Sequence, residues 1–256
     1  MPGIAPVAMP VTTPVATPVA TTAVGFFGKV SSQGDFVARR LPPPLVARWD
    51  AWLQACLQAS RAQLGAAWLP TYLTSPVWRF AFNHGVADDQ AWAGVLMPSV
   101  DRVGRHFPLM MGAGSAGPVR LLDWLEHGAP WYDALEALAL SSLQNGFVLA
   151  DFDAALPTAL PAGLPGAGSI VAAPGSSGCH FASPGLEHMA AQMPGLARQM
   201  TDTLLAGHSL WWSDGSQAVA PSVLLCRGMP TPASFAAMID GNWRQHGWHC
   251  AGAPLI

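Results

Sequence analysis

The sequence predicts an α+β fold, a mainly antiparallel central sheet with helices packed on it. Three observations predict it. Short runs rich in β-branched and aromatic residues occur in pairs separated by turn signals. One long segment places its apolar residues on a single helical face. The chain of 256 residues, 51% hydrophobic with 11 Trp and 10 Phe, can bury a sizeable core without disulfides or metals. Strand pairs joined by short turns favour antiparallel neighbours over βαβ crossovers.

Residues 1–24 carry no charge and repeat Pro, Val, Thr and Ala, with neither helical nor strand periodicity in their hydrophobicity. A disordered tail is expected there, ahead of a domain over residues 25–256. The tail lacks a basic n-region, and Pro2, Pro6, Pro10, Pro14 and Pro18 interrupt any apolar h-region, so it does not read as a secretory signal.

After a Gly-rich opening, Leu45, Val46, Trp49, Trp52, Leu53, Cys56, Leu57 and Leu64 fall on one helix face, with Pro44 suited to the first turn. Val77 to Phe82 and Ala91 to Met97 read as neighbouring strands, separated by Asn83-His-Gly and Asp88-Asp89. A third strand, Phe107 to Met111, follows the charged turn Asp101 to Arg105. Pro130 to Gln144 reads as a helix stopped by Asn145-Gly146, and Pro157 to Gly178 as a long loop or a connection between subdomains. A helix over Gly185 to Leu205, strands at Ser209 to Ser213 and Ser222 to Cys226, and a helix near Pro232 to Asn242 complete the pattern.

Composition excludes several function classes. Mean hydropathy is +0.29, yet Pro, Gly or charge breaks every apolar run well short of the roughly 18 residues that span a bilayer, so no membrane insertion is expected. Cys56, Cys179, Cys226 and Cys250 form no Cys-x-x-Cys pair, which fits a reducing compartment. Net charge is −3 with Lys29 as the single lysine, against nucleic-acid binding. The charge is uneven: eight basic and five acidic residues lie between Lys29 and Arg105, and seven acidic with no basic ones between Leu121 and Ala197. Such asymmetry can orient a protein partner, or simply mark solvated helix faces.

Motifs for catalysis and metals are weak. Gly28-Lys29 lacks the earlier Gly and the hydroxyl of a phosphate loop, Ala23 and Val30 standing in those places. Ala113-Gly-Ser115-Ala-Gly117 is one residue short of a nucleophile elbow, which leaves a serine hydrolase using Ser115 as a rival reading beside a plain turn. His246, His249 and Cys250, with Cys179-His180, offer nitrogen and sulfur ligands for a second rival, a zinc-binding protein. Asp151-x-Asp153 and Asp88-Asp89 lack the Gly and Glu of a calcium loop.

The densest polar cluster is Asp101-Arg102-Val-Gly-Arg105-His106. An Asp101 clamp to Arg102 or Arg105 would hold a tight turn, and an arginine fork could engage a partner's carboxylate or phosphate. Both readings stand, because a clamp can shape a recognition surface.

Five ordered segments carry a resemblance: Gly25 to Phe36 (GFFGKVSSQGDF), Trp49 to Leu53 (WDAWL), Thr74 to Phe80 (TSPVWRF), Gly94 to Leu109 with its VDRVGR and FPL motifs, and Ser209 to Ser213 (SLWWS). Together they resemble the TagF (ImpM) family of type VI secretion-associated proteins. The resemblance implies a cytoplasmic, non-enzymatic posttranslational repressor of type VI secretion system assembly, acting through protein contacts and without a cofactor. The implied partners are secretion components, foremost a forkhead-associated scaffold protein. Relatives fused to a phosphatase domain need acidic metal-binding motifs and more chain than this, so no phosphatase activity is carried over. The residues expected to touch a partner are Asp35, Asp101, Arg102 and Arg105 as polar contacts, with Trp211 and Trp212 as aromatic anchors. Alternation along a strand would send at most one of that Trp pair into a core and leave the other available.

Overall fold

The computed structural model describes residues 23–115, 120–157, 194, 197 and 200–250. Its elements are β1 (Gly25–Gly28), β2 (Val37–Arg39), α1 (Pro43–Leu64), α2 (Trp68–Leu73), β3 (Trp78–Phe82), β4 (Ala91–Met97) and β5 (Leu109–Ser115), followed by α3 (Leu121–His127), α4 (Ala129–Ser141), α5 (Leu149–Ala155), β6 (His208–Ser213), β7 (Ser222–Arg227) and α6 (Ala237–Asp240). The strands form one sheet in the order β2-β1-β5-β4-β3-β6-β7, with every pairing antiparallel. This is the α+β arrangement that the sequence predicts.

Adjacent residues of the central strands enter different cores, because successive side chains on a strand point to opposite faces. Phe27, Phe80, Phe82 and Trp211 pack with Trp49 and Leu53 of α1 and Met238 of α6. Phe26, Ala81, Val95 and Trp212 pack with Trp124 of α3, Tyr132 of α4 and Phe152 of α5. Antiparallel sheets commonly keep one face wet and so alternate apolar with polar residues. Here helices cover both faces, and all seven residues of β4 and of β5 are buried.

That double burial explains where the expected boundaries shift. β5 begins at Leu109 rather than Phe107 and runs past Met111 to Ser115, into the Ala113-to-Gly117 stretch that reads as a turn. Gly94 and Gly112 are paired across β4 and β5. A Cβ on Gly94 would lie 2.7 Å from the tip of the Phe80 ring, so these glycines make room for an aromatic ring. The expected helix near Pro232 to Asn242 is instead a short 3-10 turn, Pro232–Ser234, then the four residues of α6, ended by Gly241 at φ +76°. The helix expected over residues 185–205 lies largely outside the described residues; 201–204 are helical.

Candidate functional site

The site forms where β1 ends. Gly28 adopts φ +142° and sits against the Pro108 carbonyl, an approach that a Cβ would block. This close fit sets Lys29 beside the turn that leads from β4 to β5. Ser99 Oγ donates to the Lys29 carbonyl at 2.8 Å, and Ser99 exchanges bonds with the Tyr72 hydroxyl: its N–H donates at 2.9 Å and its carbonyl accepts at 3.0 Å.

The Lys29 ammonium lies 2.5 Å from Asp101 Oδ2, with the two side chains 6% and 0% exposed. Arg105 Nε donates to the same oxygen at 2.6 Å. Asp101 Oδ1 accepts the backbone N–H groups of Val103 and Arg105 at 3.0 and 2.9 Å. Burial alone would push the Asp101 pKa up. The Lys29 and Arg105 cations and the two N–H donors outweigh it and hold the carboxyl well below the usual range. Arg105 also donates to the Gly34 carbonyl, and the Arg102 N–H donates to the Gln33 carbonyl at 2.9 Å, so the turn is tied to the loop after β1. The expected Asp101 to Arg105 clamp is thus present, and Lys29 is its third member.

What the clamp holds outward is a mixed surface. Asp35 is fully exposed, 3.8 Å from Arg105. Phe36, 48% exposed, stacks on Phe27, and the Lys29 ammonium sits 4.7 Å from its ring centroid. Val103 is 65% exposed at the turn's tip, beside the exposed Arg102. An exposed guanidinium at Arg102 and exposed apolar side chains at Val103 and Phe36 can take a carboxylate and an apolar group from a protein partner.

The structure brings Asp35, Asp101, Arg102 and Arg105 together and places Trp211 and Trp212 elsewhere. The expectation that one Trp would be available is corrected: both are buried, at 0% and 7% exposed. Trp211 lies within 5.4 Å of Phe80 and Phe82, and Trp212 meets Tyr132 edge-on at 4.7 Å on the other face. Sequence reading missed Lys29, Phe36 and Val103 as site residues. The available signal was the chain's single lysine, set between Gly28 and Val30 directly after an apolar run, a costly place for a charge without a partner.

The rival residues are engaged otherwise. Ser115 is buried at the end of β5, paired in register with Ala91. His246 Nε2 lies 2.8 Å from Asp240 Oδ2, a largely buried pair that fastens the segment after α6. Among the described residues no three His, Cys, Asp or Glu side chains are grouped to hold a metal ion, and Cys179-His180 lies outside them. No helix among the described residues is long and apolar enough to cross a membrane.

A family model described as the TagF N-terminal domain, type VI secretion system-associated, matches residues 25–159, which contain the whole clamp and exclude Trp211 and Trp212. The crystal structure of PA0076 from Pseudomonas aeruginosa PAO1 is similar to the chain at 33% sequence identity and a TM-score of 0.73, covering 91% of this chain and 100% of that one. No curated protein matches.

Proposed function

The chain belongs to the type VI secretion system-associated TagF family, and from that premise we propose that it is a non-enzymatic, cytoplasmic regulator that represses assembly of the secretion system by binding one of its components. The observation that carries this reading is the clamp. The buried Lys29–Asp101 pair and the exposed Arg105 that joins it fix the turn that carries Arg102 and Val103 at the surface, with Asp35 and Phe36 exposed on the loop tied to that turn. Fixing exposed groups in advance lowers the ordering cost of association, which serves recognition. The proposed partner is a forkhead-associated scaffold protein.

The test is co-purification of the tagged chain with that scaffold, wild type beside Arg102→Glu and Phe36→Ala variants. Arg102 lies outside the clamp, while Phe36 covers the Lys29 ammonium, so the fold of each variant is checked by circular dichroism. Capture by the wild type that is lost in the folded variants supports the reading. Failure of the wild type to capture the scaffold removes the scaffold as partner, and equal capture by all three moves the interface away from this turn.

A further inference from the structure

The two edges of the sheet are unlike. The β2 edge is three residues long and ends in Arg39 and Arg40, a short charged edge that resists further pairing. The β7 edge is six residues long and free of proline, and it carries Val223 and Leu225 at 58% and 50% exposure. Its one strand neighbour is β6, so among the described residues its outer N–H and C=O groups face no strand. An open groove runs beside this edge, walled by Trp243 and Trp248. A six-residue edge with exposed apolar Val223 and Leu225, charged only at its terminal Arg227, is a template for an added strand.

The N-terminal segment carries a matching pattern. Pro6, Pro10, Pro14 and Pro18 recur at a spacing of four, and each is followed by valine, at Val7, Val11, Val15 and Val19. In an extended chain, the N–H groups of alternate residues point to the same side. A spacing of four therefore puts every missing N–H on one side. The other side keeps its donors at Val7, Met9, Val11 and Thr13. Proline is tolerated in a sheet where its N–H side faces outward from an edge. We propose that residues 6–14 add as an eighth strand along the open edge of β7 of the same molecule, with the proline side outward to stop further pairing. Five antiparallel pairings make β7 run opposite to β1, so a strand parallel to β7 ends on the side where β1 begins. Six strand spacings of about 4.8 Å, roughly 29 Å, separate the two, and about nine nearly fully extended residues running along that end of the sheet span it. Residues 15–23 supply them.

The test is amide hydrogen exchange of β7 measured by NMR on four proteins: the full chain; the chain lacking residues 2–22; a Val7→Pro, Val11→Pro variant; and an Ala8→Pro, Thr12→Pro variant. Unchanged exchange of the β4 and β5 amides confirms that each is folded. The proposal expects the outward β7 amides to exchange at least tenfold faster in the truncated chain and in the Val7→Pro, Val11→Pro variant. The Ala8→Pro, Thr12→Pro variant should match the full chain, and a synthetic peptide of residues 6–14 should restore protection to the truncated one. Equal exchange in the full and truncated chains overturns it, as does equal behaviour of the two proline variants. Protection that persists in the truncated chain and grows with protein concentration assigns the edge to a second copy instead, and also overturns it.

Discussion

Lys29 and Asp101, 72 positions apart in sequence, meet at 2.5 Å with almost no exposure to solvent. A buried ion pair is weak support for stability in itself, but removing one member leaves an uncompensated buried charge. Lys29→Met should therefore lower the melting temperature far more than Arg102→Glu, whose side chain is exposed. Thermal unfolding of both variants checks this, and equal shifts would contradict a structural role for Lys29.

The depressed pKa of Asp101 gives the pair a pH signature. A carboxyl whose folded pKa lies below its unfolded value near 3.9 contributes stability that is present above about pH 4 and lost as pH falls through the folded value. Denaturant midpoints measured between pH 6 and pH 2 should fall more steeply for the wild type than for Asp101→Asn, which starts lower and has no such charge to lose. Parallel curves would contradict this.

Gly94 should tolerate no side chain, because a Cβ there would meet the Met111 carbonyl, the Gly112 backbone and the Phe80 ring. Gly94→Ala is expected to cost about 1–3 kcal/mol or more, as overpacking of a filled core does. At Gly146 no atom stands within 4 Å of a Cβ, and only its φ of +81° resists substitution. Gly146→Ala should cost roughly 1–2 kcal/mol. Chemical denaturation should show the larger loss of stability for Gly94→Ala, and a larger loss for Gly146→Ala would contradict the packing at Gly94.

Trp211→Ala and Trp212→Ala should each cost about 3–5 kcal/mol through lost packing, one in each core. A binding assay on either variant would report misfolding rather than a lost contact. Urea unfolding with an unchanged midpoint in either would contradict its burial.

Thiol reactivity should follow environment. Burial pushes the Cys226 thiol up to about 11 and that of fully buried Cys56 higher still, while Cys250 is exposed. Among the three cysteines of the described residues, alkylation at pH 8, read by peptide mass spectrometry, should modify Cys250 first, then Cys226, with Cys56 protected until unfolding.

Local pattern was enough for α1, whose Leu45, Trp49, Leu53 and Cys56 are all buried, and for β3, β4, β6 and β7. It fell short where burial on both faces changed the meaning of a residue. Ala113-Gly-Ser115 reads as the start of a turn until its pairing with Ala91 to Ala93 of β4 is seen, and Trp211-Trp212 reads as one buried and one free until a helix layer covers each face. The short strands β1 and β2 were hidden because four and three residues are too few to show a period. In the site, the Asp101 to Arg105 contact was legible because its partners are four residues apart. Lys29 was not, since only the fold brings it to Asp101.

The most direct measurement is export of a secreted type VI component from cells that overproduce the wild type or the Arg102→Glu, Phe36→Ala double variant at matched soluble levels. The wild type should suppress export, and the double variant should leave it near the level of cells without the overproduced protein. Full suppression by the folded variant, or none by the wild type, would contradict repression through the face that Lys29, Asp101 and Arg105 hold in place.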